Sequence, residues 1–528
     1  VAHDAVVVGA GPNGLVAANL LVDAGWSVLV LEEQPTPGGA VRSDRELHPD
    51  FVQDTFSAFY PLAATSRTIQ GLGLEAHGLE WVHAPAVLGH PTDDGWAVLH
   101  RRREDTAAAL AASHPDDGER WLDLCRTWDA VGGPLVDGLI SPFPPVRAGA
   151  SLLTRVPRAG GLDLLRAFVT PVADLAHRFS GPGAGLLLAG NAGHADLPLH
   201  SAGSGLFGLI MTMLGQTVGF PVPRGGAGEL TAALVRRFEA AGGELRCGTR
   251  VDGVRVRERR AVAVETAEGE RHEARRAVVA DVSALALFNR LLDPADVPAG
   301  VTRGMRSFGL DPGTAKVDWA LDGPVPWTTP PPLAPGTVHV ADSVDQMAEA
   351  LGQVAARRIP AAPFLLCGQM TASDPTRSPA GTESLWAYTH VPQPHPGVRD
   401  AAGDGPDAVR GTWDRDDCER FADRIQARLE RHAPDLASRI LARRVMGPRE
   451  LEARDANLVG GAINGGTSQI HQELFFRPVP SMRGRPETGV RGLYLGSASA
   501  HPGGGVHGAP GANAARAAIW HHRLRLRR

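Results

Sequence analysis

Ala5-Val6-Val7-Val8 runs straight into Gly9-Ala10-Gly11-Pro12-Asn13-Gly14, and this stretch decides the fold. An apolar strand opens into a G-x-G-x-x-G turn. A helical pattern follows, with Leu15, Ala18, Leu21 and Val22 on one face, and ends near Gly25. A second apolar strand, Ser27–Leu31, ends at Glu32. The order predicts a β-α-β unit that binds a dinucleotide. Gly9 permits the tight turn, Gly11 lets backbone approach a pyrophosphate, and Gly14 lets the helix pack on the sheet. Pro12 sits in the same turn. The helix N-terminus offers unpaired N–H groups and partial positive charge to the phosphates. Glu32, eighteen residues past Gly14, can accept hydrogen bonds from a ribose 2′-OH, which disfavours NADP.

Gly38-Gly39 lies six residues after Glu32 and is followed by Ala40, Arg42 and Ser43. A glycine doublet there suits backbone passing close to the extended pyrophosphate of FAD, whereas a plain NAD dehydrogenase needs no such element. FAD is therefore the expected cofactor. Gly181–Gly185 and Gly508–Gly511 are glycine-rich but lack the preceding strand or the later acid. With no separate NADPH domain expected, the electron acceptor is dioxygen, a quinone or a protein carrier.

The rest of the chain sets bounds. At ~100–200 residues per domain, 528 residues imply two or three domains. An apolar share of 43% with 21% charged residues describes a globular chain, and a net charge of −5 argues against nucleic acid as a partner. Cys125, Cys247, Cys367 and Cys418 form no C-x-x-C pair, so neither a disulfide framework, a zinc site nor a dithiol centre is expected. No metal is expected. The strand at residue 5 leaves no room for a signal peptide, and no uninterrupted apolar span of ~20 residues exists. Leu197–Pro223 comes nearest, but its prolines and glycines suit a buried or channel-lining segment. A cytoplasmic protein is expected. The basic tail His521–Arg528 reads as solvated, with peripheral membrane contact as the second reading.

From about Leu72 to Phe220 the pattern reads as helices between Pro/Gly breaks. Pro223–Glu229 then opens a helix with Leu230, Leu234 and Phe238 on one face. Strands follow around Val251, Val254 and Val256, at Ala261–Glu265 and at Ala277–Ala280. Residues 291–445 read as irregular apart from one helix carrying Phe421, Ile425 and Leu429. The last stretch holds a strand, Gly492–Gly496, a loop, His501–Gly508, and an alanine-rich helix after Pro510.

Gly9–Gly14, Glu32, Gly38-Gly39, Pro223–Glu229 and Leu493–Asn513 together resemble the phytoene (carotenoid) desaturase superfamily of FAD-dependent oxidoreductases. The run from His501-Pro502-Gly503-Gly504-Gly505-Val506 to Asn513-Ala514-Ala515 is similar to its branch named for pyridine nucleotide-disulphide oxidoreductase domain-containing protein 2. Gly460–Gly466, Gln472–Pro478 and Phe51-x-x-Asp54-x-x-Ser57 are similar to the same branch. Two positions depart from the wider pattern: Ala40-Val41 stand between the doublet and Arg42, and the last strand ends Gly496-Ser497-Ala498 where related flavoproteins have Gly-Asp.

The resemblance implies an α/β fold with a discontinuous Rossmann-type FAD-binding domain (1–71, 219–290 and 446–528). An α+β substrate domain (72–218 and 291–445) completes it, in the manner of amine oxidases and phytoene desaturases. It also implies that Val251, Ser497, Gly505, Val506 and Ala509 contact the cofactor together with the N-terminal motif. The C-terminal loop would face the isoalloxazine end, and the helix after Pro510 would present its positive end to flavin N1/O2.

The expected activity is dehydrogenation (desaturation) of an apolar small molecule, such as a polyene, isoprenoid or other natural-product intermediate, by hydride transfer to flavin N5. His501 and His507 are the candidate catalytic histidines; the other reading has them cap or pack the loop. His194, His390 and His471 are weaker candidates, each more often a satisfied structural histidine. Ala192–Phe220 and the strand-like Ser384–Val391, with Phe207, Leu209, Met211, Met213, Trp386 and Tyr388, suit either an apolar ligand or plain core. A flavin-dependent isomerase and a flavin-binding interaction protein without turnover are the alternatives. Substrate and oligomeric state stay open.

Overall fold

In the computed structural model, which describes residues 2–158, 161, 166 and 169–526, Ala2–Val8 (β1) lies inside a seven-stranded sheet. Val28–Leu31 (β2) runs parallel beside it in the register Ala5↔Val28 to Val8↔Leu31. Its other neighbour is Arg271–Ala280, also parallel, from Ala5↔Ala277 to Val8↔Ala280. Over Ala5–Val8, Val28–Leu31 and Ala277–Ala280 both faces are covered, and there the strands read as unbroken apolar runs. Glu244–Arg246 pairs beyond β2, while Val251–Arg257 and Arg260–Thr266 continue the sheet antiparallel on the other side. Leu493–Leu495, near the other end of the chain, pairs parallel with Val278–Ala280.

Between β1 and β2, Pro12–Asp23 (α1) packs against Gly228–Ala240 and Ala509–Leu526. The last contact is very close. A Cβ built on Gly511 would lie 1.8 Å from the carbonyl oxygen of Asn13, so the crossing requires glycine.

A second seven-stranded sheet runs in the order Ile440–Met446, Gly313–Leu321, Glu383–Val391, Leu365–Gln369, Pro335–Val340, Ala86–Thr92, Gly95–Leu99. Five of its strands fall in or at the edge of residues 291–445, which the sequence pattern presents as irregular apart from one helix and the strand-like Ser384–Val391, found here as Glu383–Val391. The hairpin of Ala86–Thr92 and Gly95–Leu99 falls in a stretch read as helical. The cause is physical: all nine residues of Gly313–Leu321 are buried, Lys316 and Asp318 among them, so its polar positions do not mark a solvent face. One face of this sheet packs on Arg415–Glu430 through Phe421, Ile425 and Leu429. Helices Pro182–Ala192 and Ser204–Thr217 contribute to the core on the other side.

Candidate functional site

A cleft of about 1240 Å³, part of it open to solvent, follows the C-terminal ends of the parallel strands. Val8, Gly9, Leu31, Glu32 and Asp281 close its floor, and Gly504, Gly505 and Val506 line it further along.

At the first end, Gly9 has φ +97° and donates its N–H to the carbonyl of Leu31 at 2.8 Å. The glycines of the motif converge on one residue. A Cβ on Gly9 would fall 2.6 Å from the carbonyl oxygen of Asp281, and one on Gly11 2.7 Å from Asp281 Oδ2. One on Gly14 would meet the Gly9 carbonyl at 2.3 Å and Asp281 Oδ2 at 2.8 Å. Asp281 Oδ2 accepts the Gly14 N–H at 2.7 Å, which satisfies a free donor at the start of α1. Glu32 accepts the N–H groups of Ala10 (2.7 Å) and Gln34 (2.8 Å), and so holds the turn as well as facing the cleft.

Asp455 makes a third acid here. Burial raises the pKa of all three carboxyls, and the like charges of Asp455 and Glu32 add to the effect on Asp281, pushed up to about 8. A neutral Asp281 can face a phosphate that a carboxylate would repel. Gly39 (φ +52°) completes the cradle: its Cβ would sit 3.2 Å from the Gly11 Cα.

At the far end an arginine does the organising. Arg477, 1% exposed, donates to the carbonyls of Thr467 (3.0 Å), Asn464 (2.9 Å) and Ala498 (2.9 Å) and to Glu473 Oε1 (2.8 Å). Gly503 passes over it, since a Cβ there would approach the guanidinium carbon to 3.2 Å. A Cβ on Gly505 would lie 2.7 Å from Leu62 Cδ1. Val506 lines the cleft with φ +53°, a strained state for a β-branched residue that costs about 1–3 kcal/mol.

Of the residues named from sequence, Gly9, Gly11, Pro12, Glu32, Gly39, Ala40, Val251, Ser497, Gly505 and Val506 line this cleft. Gly14, Gly38, Arg42 and Ala509 stand behind it. Gly38 (φ +122°) makes the turn, and Arg42 donates to the carbonyl of Arg454 at 2.8 Å. The two loop histidines lie outside the lining. His507 Nδ1 accepts the Ala509 N–H at 3.2 Å, capping the last helix, and its carbonyl accepts from Ser66 Oγ at 2.7 Å. His501 donates from Nε2 to the Ser141 carbonyl at 3.1 Å, and its Nδ1 has no partner among the described residues. Burial pushes both rings down to about 4.

Sequence reasoning missed Asp281, Asp455, Arg477 and the crossing role of Gly511. For Asp281 a signal existed: like Glu32, it is the acid that directly follows an apolar strand.

A long cleft with small residues at both ends and a neutralised carboxyl at the helix terminus fits FAD. Residues 7–71 match the model of an NAD(P)-binding Rossmann-like domain, and residues 163–344 that of a flavin containing amine oxidoreductase. The chain is 26% identical to mouse (Mus musculus) pyridine nucleotide-disulfide oxidoreductase domain-containing protein 2, covering 97% of this chain and 92% of that one. It is 25% identical to phytoene desaturase (lycopene-forming) of Pantoea ananas, over 97% and 98%. Among solved structures, putrescine oxidase bound to putrescine superposes with a TM-score of 0.61 at 16% identity over 99% of both chains, a likeness of fold alone.

Proposed function

We propose that this chain, which belongs to the FAD-dependent oxidoreductase superfamily of the phytoene desaturases and flavin-containing amine oxidoreductases, dehydrogenates an apolar small molecule. One observation carries the reading: the glycine-rich far end of the cleft abuts an apolar, aromatic wall. Leu62 packs at Gly505, Leu62 and Phe59 pack on the same apolar core, and the Phe59 ring lies 6.0 Å from that of Trp386. A substrate C–H placed there meets the flavin end of the cleft and few groups able to hold water.

Bound FAD supplies the hydride acceptor, N5. Gly9, Gly11, Gly39 and the start of α1 would hold its pyrophosphate, Glu32 its ribose, and Gly504–Val506 the ring end. Arg477 keeps three loops in place around that end. His501 lies behind the lining, and its Nδ1 is enclosed and unpartnered among the described residues, so it is the candidate for moving a proton only through a group that reaches the cleft; His507 is committed to the helix cap. The corresponding division of the chain is 1–71, 219–290 and 446–528 for the cofactor and 72–218 and 291–445 for the substrate.

Electrons leave to dioxygen, a quinone or a protein carrier. The four free cysteines support the cytoplasm as the compartment. Among the described residues no helix is long and apolar enough to cross a membrane; Arg527 and Arg528 of the basic tail lie outside the described residues.

The test is anaerobic titration of the FAD-loaded protein with a panel of apolar compounds, following flavin absorbance. Bleaching with one product per flavin supports a dehydrogenase. Turnover without consumption of any electron acceptor would make it an isomerase instead. Replacing His501 by Ala should slow flavin reduction far more than it weakens FAD binding.

A further inference from the structure

The two faces of the second sheet differ in kind. Pairing sets Thr314 opposite His390, Lys316 opposite Tyr388 and Asp318 opposite Trp386. Leu366 lies opposite Tyr388 on the next strand, and His339 opposite Leu366 on the one after. Directly opposed residues share a face. The intervening residues Val317, Trp319, Leu385, Ala387 and Cys367 form the apolar face against Arg415–Glu430.

The first face is polar and aromatic, yet it is buried: His339 is 0%, His390 2% and Thr314 3% exposed. Lys316 is answered by Asp318 and by the carbonyl of Asp54 at 3.0 Å. Thr314 Oγ1, Thr337 Oγ1, His339 Nδ1 and His390 Nδ1 have no partner among the described residues. Each buried polar group left unpaired costs about 1–3 kcal/mol, so folding alone does not account for them.

Space adjoins this face. Burial pushes His194 down to about 3 and raises the Tyr388 phenol, so both lie deep in the molecule. Both nevertheless keep solvent-accessible surface, as do Phe59, Leu62 and Met211 around them. Accessible surface on side chains packed against this face marks a narrow space beside it. Its wall can be followed from the flavin end: Leu62 at Gly505, Phe59, Trp386, then Tyr388 stacked 6.0 Å from Trp386, then His390 5.9 Å further on. His194 Nε2 and His339 Nε2 meet at 2.9 Å beside them. The wall starts apolar and ends polar.

We propose that Tyr388, His390 and His194 form a polar terminus of the substrate cavity, and that the substrate is an apolar molecule carrying a hydroxyl group rather than a hydrocarbon. This rests on the dehydrogenase reading and names its substrate class. The chemistry of the terminus selects the hydroxyl. His390 donates from Nε2 to the Gly193 carbonyl at 3.1 Å, which leaves Nδ1 as an acceptor that is enclosed in this conformation, while the His194 ring beside it keeps accessible surface. Tyr388 offers an O–H. A hydroxyl both donates and accepts, and so satisfies the pair; a hydrocarbon satisfies neither. A carboxylate would need a cation, and Lys316 is already neutralised by Asp318. The terminus lies at the opposite end of the aromatic wall from Gly505, so the hydroxyl is a handle that sets which C–H reaches the flavin.

The experiment uses the FAD-loaded enzyme and one matched pair of probes, the C15 isoprenoid alcohol farnesol and the hydrocarbon farnesene. Affinity is read from the perturbation of flavin absorbance. Farnesol should bind at least tenfold more tightly. Tyr388→Phe and His390→Phe should each bring the ratio towards one, with FAD affinity unchanged and melting temperature equal or higher. Thr314→Val, which removes one unpaired hydroxyl at constant shape, should not lower the melting temperature. Equal affinities, no affinity for either probe, or a ratio that survives both ring substitutions overturns the proposal. If farnesene bleaches the flavin as readily as farnesol, the dehydrogenase reading stands and this one falls. A flavin that no compound of the wider panel bleaches removes the dehydrogenase reading, while the binding ratio still decides this one.

Discussion

The two ends of the cleft solve the same problem with opposite charges. Both bring backbone close to a flat or phosphorylated ligand by way of glycine. At the first end Gly9, Gly11 and Gly14 all abut Asp281, flanked by Glu32 and Asp455. At the far end Gly503 passes over Arg477, and the loop then returns to the first end, where Gly511 lets the last helix touch α1 at Asn13. The comparison teaches that glycine spacing answers to protein atoms as well as to a ligand. An acid end must shed its charge to admit phosphate, whereas the arginine end gains order from keeping its charge.

The strongest way to break the far end is Arg477→Met. It would leave the carbonyls of Thr467, Asn464 and Ala498 and the carboxylate of Glu473 without their donor, at a cost of about 3–5 kcal/mol. Chemical denaturation should show that loss, and a change under about 1 kcal/mol would mean the loops hold themselves. Gly511→Ala comes next, because its Cβ would meet Asn13 backbone and push the helix off α1. About 3 kcal/mol and a marked drop in FAD content are expected from overpacking.

The acid end should respond in the reverse direction. In the folded protein Asp281 keeps its proton up to about pH 8, while an unfolded chain releases it near 3.9. The native state therefore binds the extra proton between those values, and its stability falls as pH rises through that window. Asp281→Asn keeps an acceptor for the Gly14 N–H and removes the titration. Its melting temperature should fall less between pH 5 and pH 8 than that of the parent, and it should bind FAD more tightly at pH 8 but not at pH 5. Parallel pH profiles for the two proteins would show that Asp281 is ionised throughout. The smallest effect is expected from Val506→Gly, which relieves the left-handed backbone and should add up to about 1 kcal/mol with FAD still bound.

The first end was legible because strand, turn, helix and acid follow one another within 32 residues, and a positive φ at Gly9 and Gly39 demands what the sequence displays. The counter-residues were not. Asp281 arrives from a strand far along the chain, and Arg477 is one arginine in a chain rich in them. Of the second sheet only Ser384–Val391 reads as a strand, and the rest was missed for another reason. Thr314, Lys316 and Asp318 alternate with Ala315, Val317 and Trp319 as a surface strand would, but both sets are buried. Alternation shows two faces and does not show which of them meets water. The hairpin at residues 86–99 was hidden likewise, its first strand being buried from Ala86 to Pro91.

The first sheet is assembled from remote parts of the chain, which matters at the ribosome. β1 is made long before its partners: Arg271–Ala280 follows after more than 260 residues, and Leu493–Leu495 later still. At about 5–20 residues per second the newborn strand waits tens of seconds with an unsatisfied apolar edge. Chaperone capacity and slow translation, more than the stability of the finished fold, should thus govern how much of this protein a cell recovers. Truncation before residue 493 should yield aggregate rather than a smaller working unit.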